Sequence, residues 1–269
     1  MPTFKRRDHG VGHSYWLVDD KGVETQIPGV TTILGDAIPK NALKRWAAEQ
    51  AAEYAVANWA ELGQMPVLAR GKAIATAWDT VRAEAAKRGT NIHRLAEKLQ
   101  AGEEVEVPEG LEGLVESCVK FLDEWDVQPV LSETSVLNRS VPYAGTLDIV
   151  CDFAGARWLV DWKTSRSGVY AEAALQLSAY AHADVYINEA GVEQSLAGLG
   201  IQRGAVVHLR SDGYDIHPMT IGDRAFSVFR HAAFMAEWLH WDKNGDDLGR
   251  HTRLDTLKLP VLQPARVNA

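Results

Sequence analysis

The sequence predicts an α/β fold: a central mixed β-sheet flanked by helices, preceded by an N-terminal helical arch. Three observations predict it. The first half carries apolar residues at helical spacing in long runs. From residue 129 the texture changes to three β-rich runs separated by turn signals, and after them helix, strand pair and helix follow in turn. With 269 residues, 46% apolar and 24% charged, the chain has the composition of a folded globular protein and room for one large core.

His13 to Ile27 reads as two short strands, HSYWLV and VETQI, around the turn Asp19-Asp20-Lys21-Gly22. Asn41 to about Leu62 places Leu43, Trp46, Ala47, Tyr54 and Ala55 at helical spacing, and a second helix is expected from about Val67 to Lys87. Gly89-Thr90 then reads as a break, with Thr90 as N-cap of a new helix carrying Ile92, His93, Ala96, Glu97 and Leu99 and closing near Gly102. His93 and Glu97, four apart, share one face. Leu111 to Asp126 repeats apolar residues as a further helix.

Three consecutive strands are expected at Pro129–Leu137, Tyr143–Phe153 and Trp158–Trp162. A helix from about Ala171 to Ile187 follows. Then come strands at Ala205–Arg210 and Tyr214–Pro218 around Ser211-Asp212-Gly213, a last helix from Asp223 to about Trp241, and a loose polar tail after Gly245. The expected division is a single domain: hairpin and helical arch over 1–126, core over 127–245, tail over 246–269.

Composition excludes several classes. Only Cys118 and Cys151 are present, so neither a four-cysteine metal or iron–sulfur set nor a disulfide framework is available. The formal net charge of −8 argues against nonspecific coating of nucleic acid, though it leaves room for an enzyme with a local groove. No apolar run approaches a membrane span and the first residues lack a secretory h-region, so the expectation is a cytoplasmic protein without membrane contact. Gly71-Lys72 lacks the rest of a Walker A loop, Gly198, Gly200 and Gly204 miss the GxGxxG spacing, and no GxSxG occurs.

The informative residues are polar ones inside strands. Asp148 lies within Tyr-Ala-Gly-Thr-Leu-Asp-Ile-Val, and Asp161 and Lys163 end Trp-Leu-Val-Asp-Trp-Lys. Strand alternation sends Asp161 and Lys163 to one face and Trp162 to the other. An antiparallel pairing around Ala154–Ala156 brings Asp148 and Asp161 to one end of the sheet, where two carboxylates repel and a hard divalent cation relieves the repulsion. The rival reading is a surface Asp161–Lys163 ion pair beside a lone Asp148.

Gly145-Thr146-Leu147-Asp148, Asp161-Trp162-Lys163-Thr164 and Gln176-Leu-Ser-Ala-Tyr180, preceded by Gly89-Thr-Asn-Ile-His93, resemble in letters and in order the four motifs of RecB-type nucleases of the PD-(D/E)xK superfamily. Ile27-Pro28-Gly29-Val30-Thr31-Thr32-Ile33-Leu34 and Asp161-Trp-Lys-Thr-Ser165 extend the likeness to the phage exonucleases and the mitochondrial genome-maintenance exonuclease. Gly29 departs from the serine usual there, and the cysteines of Cas4-like members are missing. The resemblance implies a restriction-endonuclease-like core and a Mg²⁺- or Mn²⁺-dependent exonuclease without an iron–sulfur cluster. It implies DNA with single strands or free ends as substrate, a phage or bacterial recombination or repair context, and a recombination protein as partner.

It also implies roles. Asp148 and Asp161 would hold metal, joined by His93 and the backbone carbonyl of Trp162. Lys163 would orient or deprotonate water, since a partly desolvated ammonium near a metal has its charged form disfavoured, or act as a fixed charge. Gln176 and Tyr180, on one helix face, would reach phosphate. Glu133 sits where the family often has a glutamate; the alternative is a solvent-facing strand residue. Glu97 is a lesser candidate. Thr164, the backbone at Thr31 and Thr32, and Lys44 and Arg45 beside Trp46 are candidate DNA contacts, with a solvated helix face as the alternative for the last group. Lys87 and Arg88 are weaker ones. The remaining histidines (His9, His13, His182, His208, His217, His231, His240 and His251) show no H-E-x-x-H spacing and read as core or surface residues. Two other functions stay open: a catalytically silent DNA-binding or scaffold subunit, and a structure-selective endonuclease.

Overall fold

The structure is a computed structural model that describes residues 3–9 and 12–240. The expected helix end at Trp241 and the tail over 246–269 lie outside the described residues. The chain runs β1 (Thr3–His9), β2 (Gly12–Val18), β3 (Glu24–Ile27), α1 (Val30–Ala37), α2 (Asn41–Ala57), α3 (Trp59–Gln64), α4 (Val67–Gln100), α5 (Glu112–Glu124), β4 (Gln128–Asn138), β5 (Tyr143–Phe153), β6 (Ala156–Lys163), α6 (Glu172–Ala181), β7 (Val185–Ile187), β8 (Glu193–Ser195), β9 (Arg203–Arg210), β10 (Gly213–Met219) and α7 (Asp223–His240).

The fold is a mixed α/β architecture with a central sheet flanked by helices. Its seven strands lie in the order β10-β9-β6-β5-β4-β7-β8. β6 and β9 are parallel and the other neighbours antiparallel. A parallel pair needs a crossover, and α6 lies in it. Alternation along β6 and β9 fills two cores. Leu159 and Val206 join Ile33 and Leu34 of α1, Leu177 and Tyr180 of α6, and Phe229 of α7 on one side. Val160, Trp162 and Val207 join Ile92 and Leu95 of α4 and Phe121 of α5 on the other. Each fully buried large side chain contributes roughly 1.5–3 kcal/mol.

Several expected boundaries move. Gly89-Thr90 does not interrupt the chain: α4 is one helix of 34 residues. A mid-helix glycine costs only about 1 kcal/mol relative to alanine. The Thr90 hydroxyl donates back to the Ala86 carbonyl at 3.1 Å instead of capping, so its polar group is satisfied within the helix. The helix expected over Asn41–Leu62 divides at Asn58, whose backbone N–H and side-chain amide both donate to the Tyr54 carbonyl. The helix expected to reach Ile187 stops at Ala181. Val185 and Tyr186 instead pair with Leu137 and Val136, and β8 adds a short edge strand. β1 was not expected, because its mostly polar sequence hides a strand that pairs along its whole length with β2.

α2, α3 and the first two-thirds of α4 form an arm in which Leu62 is the one buried side chain. Trp46 and Trp78 meet edge to face at 6.4 Å, and Arg82 lies over Trp78. Only the end of α4, through Ile92, Leu95 and Ala96, enters the core. That anchoring sets His93 against the sheet.

Candidate metal centre

The site forms where β5 and β6 part. Their ladder runs from Phe153↔Ala156 to Ile149↔Val160, and the next opposed residues are Asp148 and Asp161. There the Asp148 Oδ2 accepts the Trp162 backbone N–H at 2.8 Å, so a side chain takes over from the backbone ladder. Both aspartates are buried, at 9% and 2% exposure. The Lys163 Nζ lies 2.7 Å from Asp161 Oδ2, the pairing that strand alternation requires. Gln176 on α6 donates from Nε2 to Asp161 Oδ1 at 3.0 Å and to the Tyr180 hydroxyl at 3.3 Å.

The glycine of Gly145-Thr146-Leu147-Asp148 has a steric reason. A Cβ at position 145 would run into Cε1 of the Tyr180 ring and lie 3.2 Å from Cδ1 and Cζ. Only glycine lets α6 bring Tyr180 and Gln176 this close to the strand.

From the other side, α4 presents His93. Its Nδ1 is 3.3 Å from Asp148 Oδ1 and 3.7 Å from Glu133 Oε1. One ligand atom from each of His93, Glu133 and Asp148 falls within 4.8 Å of the others. Glu133 has a φ of 44° inside strand β4, a left-handed backbone that costs a non-glycine residue about 1–3 kcal/mol and clusters at functional sites.

Charge organises these groups. Burial alone would push the His93 imidazolium down, but the Asp148 charge and hydrogen bond, with Glu133, outweigh it and raise His93 to about 10. Burial likewise opposes ionisation of Asp148, yet His93, Lys163 and the Trp162 N–H hold it below the usual carboxylate range. At Asp161 burial prevails, helped by the Asp148 charge, and lifts the carboxyl to about 6 against the pull of Lys163. Lys163 is raised: burial works against its charge, and Asp161 and Asp148 overcome it. With no cation beside it, the two carboxylates outweigh desolvation. Glu97, four residues after His93, is raised by burial and by the Glu133 charge.

The donor set suits a divalent cation. Asp161 Oδ2 is a buried carboxylate oxygen with no hydrogen bond of ordinary geometry, and the Lys163 ammonium lies 2.7 Å from it. Carboxylates with one imidazole accept Mn²⁺ readily and Mg²⁺ through the oxygens. His93, Glu133 and Asp148 would hold such an ion, with Asp161 beside them. The Trp162 indole is packed against Phe121 in the core, and the residue's backbone N–H meets the site through Asp148.

Other expected residues are not joined to this centre. Thr31 and Thr32 are exposed in the first turn of α1, and Thr164, half-buried, follows Lys163 just past the end of β6. Lys44 and Arg45 are exposed on α2, and neither they nor Lys87 and Arg88 on α4 contact the site; Trp46 serves the packing of the arm. Sequence reasoning missed the wall supplied by the N-terminal sheet. Arg6 and Tyr15 both hydrogen-bond the Thr146 hydroxyl, at 3.3 and 2.9 Å, and Tyr15 also meets His13 at 2.7 Å. Burial raises the Tyr15 phenol to about 12, keeping it neutral. Thr146 stood inside a quoted motif and was the available signal; Arg6 lay in a strand that was not expected.

No protein-family model matches the chain, and no curated protein matches it. Fold and site together define a mixed α/β protein with a partly buried His/Asp/Glu cluster able to coordinate a metal ion. No helix among the described residues is long and apolar enough to cross a membrane.

Proposed function

We propose that this chain is a Mg²⁺- or Mn²⁺-dependent deoxyribonuclease of the RecB-like PD-(D/E)xK type, an exonuclease acting on single-stranded or end-containing DNA in phage or bacterial recombination or repair. The observation that carries the reading is the convergence of His93, Glu133 and Asp148 beside Lys163 and the buried Asp161, at the point where two strands separate. The motif order in the sequence supports DNA as the substrate.

In this reading His93, Glu133, Asp148 and Asp161 hold the cation. A cation so held neutralises phosphate charge and makes water a better nucleophile near neutral pH. Lys163, kept charged by Asp161 and Asp148, serves as a fixed positive charge for the phosphate as negative charge builds in the transition state. Gln176 fixes the rotamer of Asp161 through its amide, and Tyr180 fixes Gln176. Asp148 is oriented by the Trp162 N–H, which leaves Oδ1 facing His93. Arg6, aimed at Thr146 two residues before Asp148 on β5, supplies a second cation near the substrate's path.

Incubating the purified chain with end-labelled linear DNA and circular single-stranded DNA, in Mg²⁺, in Mn²⁺ and in EDTA, tests the proposal. Release of mononucleotides or short oligonucleotides from linear DNA only, lost in EDTA, is the expected result. Cleavage of circles at the same rate would replace the exonuclease reading with an endonuclease.

A further inference from the structure

A second group of metal-binding side chains stands on β9 and β10. In the sheet Lys163 is level with His208, and His208 with Asp215, so these three share one face; His217, two residues beyond Asp215, projects to the same side. His208, Asp215 and His217 offer two imidazole nitrogens and a carboxylate oxygen within 4.8 Å of one another. The two imidazole rings are 6.2 Å apart and inclined at 46°. His208 is buried, His217 half-buried and Asp215 exposed.

The proton on His208 is fixed by its surroundings. Its Nε2 lies 2.8 Å from the Ser165 carbonyl oxygen, which can only accept, so Nε2 carries a hydrogen and Nδ1 is the ring nitrogen left to ligate. A metal-ligating histidine is ordinarily held in this manner, its second ring nitrogen donating to a backbone carbonyl. Asp215 uses Oδ2 to pair with Arg210, leaving Oδ1 free to ligate.

We propose that His208, Asp215 and His217 form a second metal site, for a borderline divalent cation of the zinc class. Two imidazoles and one carboxylate favour Zn²⁺, or Co²⁺ and Ni²⁺ in its place, over the hard Mg²⁺. Three protein ligands leave a coordination position for water. The Arg210 guanidinium beside Asp215 weakens the site relative to one with a free carboxylate, which suits reversible occupancy. An ion there ties the edge strand β10 to β9 and, through His208 and the Ser165 carbonyl, steadies the loop that follows Lys163. The proposal does not depend on DNA hydrolysis.

Zn²⁺ titration of the metal-free full chain by calorimetry, with Zn²⁺-dependent melting temperature as second readout, tests it. The variants are His217→Ala, Asp215→Asn and His93→Ala. Wild type and His93→Ala are expected to bind Zn²⁺ at the β9–β10 site and to melt higher in its presence. His217→Ala and Asp215→Asn are expected to lose tenfold or more in affinity for that equivalent, and ring-proton shifts of His208 and His217 on Zn²⁺ addition are expected in wild type. Asp215 is exposed, so its asparagine variant serves if His217→Ala fails to fold. Unchanged Zn²⁺ binding in both β9–β10 variants, or loss of all Zn²⁺ binding in His93→Ala, would overturn the proposal.

Discussion

Replacing Gly145 by alanine asks whether this glycine exists to admit Tyr180. The added methyl would penetrate Cε1 of the ring and crowd Cδ1 and Cζ at 3.2 Å. Neither side can yield cheaply: Gly145 is paired with Val136 in the β4–β5 ladder, and Tyr180 is only 3% exposed within the α1–α6–α7 core. Overpacking of this kind costs about 1–3 kcal/mol, which for a protein of this size lowers the melting temperature by about 2–12 °C. Displacing the ring also pulls its hydroxyl from Gln176, which then holds Asp161 less firmly, so activity is expected to fall further than stability explains. Thermal melts of Gly145→Ala, Tyr180→Ala and the double variant isolate the clash. The alanine should destabilise wild type and have almost no effect once the ring is gone. A Gly145→Ala melting temperature within about 1 °C of wild type, or equal destabilisation in both backgrounds, would refute the steric account.

Other outcomes follow from the same geometry. Gly89→Ala is expected to stabilise by about 0.5–1 kcal/mol, because the position is mid-helix and a Cβ there meets nothing within 4 Å; a lower melting temperature would mean that α4 is broken at residue 89. In EDTA, His93 stabilises the fold fully below pH 6.5, where folded and unfolded chains both hold the proton, and this contribution drains away as pH rises toward its folded value of about 10. Wild type should therefore lose melting temperature between pH 7 and 10 more steeply than His93→Gln, and parallel curves would contradict the Asp148–His93 pairing. On DNA, a strand gripped at about 3–5 phosphates predicts a log–log salt slope of roughly −2 to −4 for single strands, and a slope near −8 would indicate an extensive basic surface instead.

Where the sequence was legible, one physical signal dominated. The β-rich runs of β4, β5 and β6 and the Asp161-x-Lys163 spacing place two carboxylates and an ammonium by strand geometry, and Asp161 and Lys163 pair while Asp148 lies opposite Asp161 where the ladder ends. Gln176 and Tyr180 meet for the equivalent helical reason. Glu133 was ambiguous because its orientation depends on a left-handed backbone that no pattern announces. The boundary errors came from reading local signals that tertiary contacts override. Gly89-Thr90 carries break chemistry, yet Ile92, Leu95 and Ala96 seat the same helix in the core; Val185-Tyr186-Ile187 extends an apolar run, yet β4 has an open edge that recruits it. His208 and His217 read as core or surface residues because a hairpin, not a helical H-E-x-x-H spacing, assembles them with Asp215.

The most direct test of the central claim is the Mg²⁺- or Mn²⁺-dependent turnover of linear DNA by wild type, Lys163→Ala and Asp148→Asn, each confirmed as folded by circular dichroism. The account predicts hydrolysis by wild type that disappears in EDTA and falls to background in both variants, since one lacks the fixed charge and the other a ligand oriented by the Trp162 N–H. Near-normal hydrolysis by folded Lys163→Ala, or no hydrolysis by wild type with either cation, would contradict it.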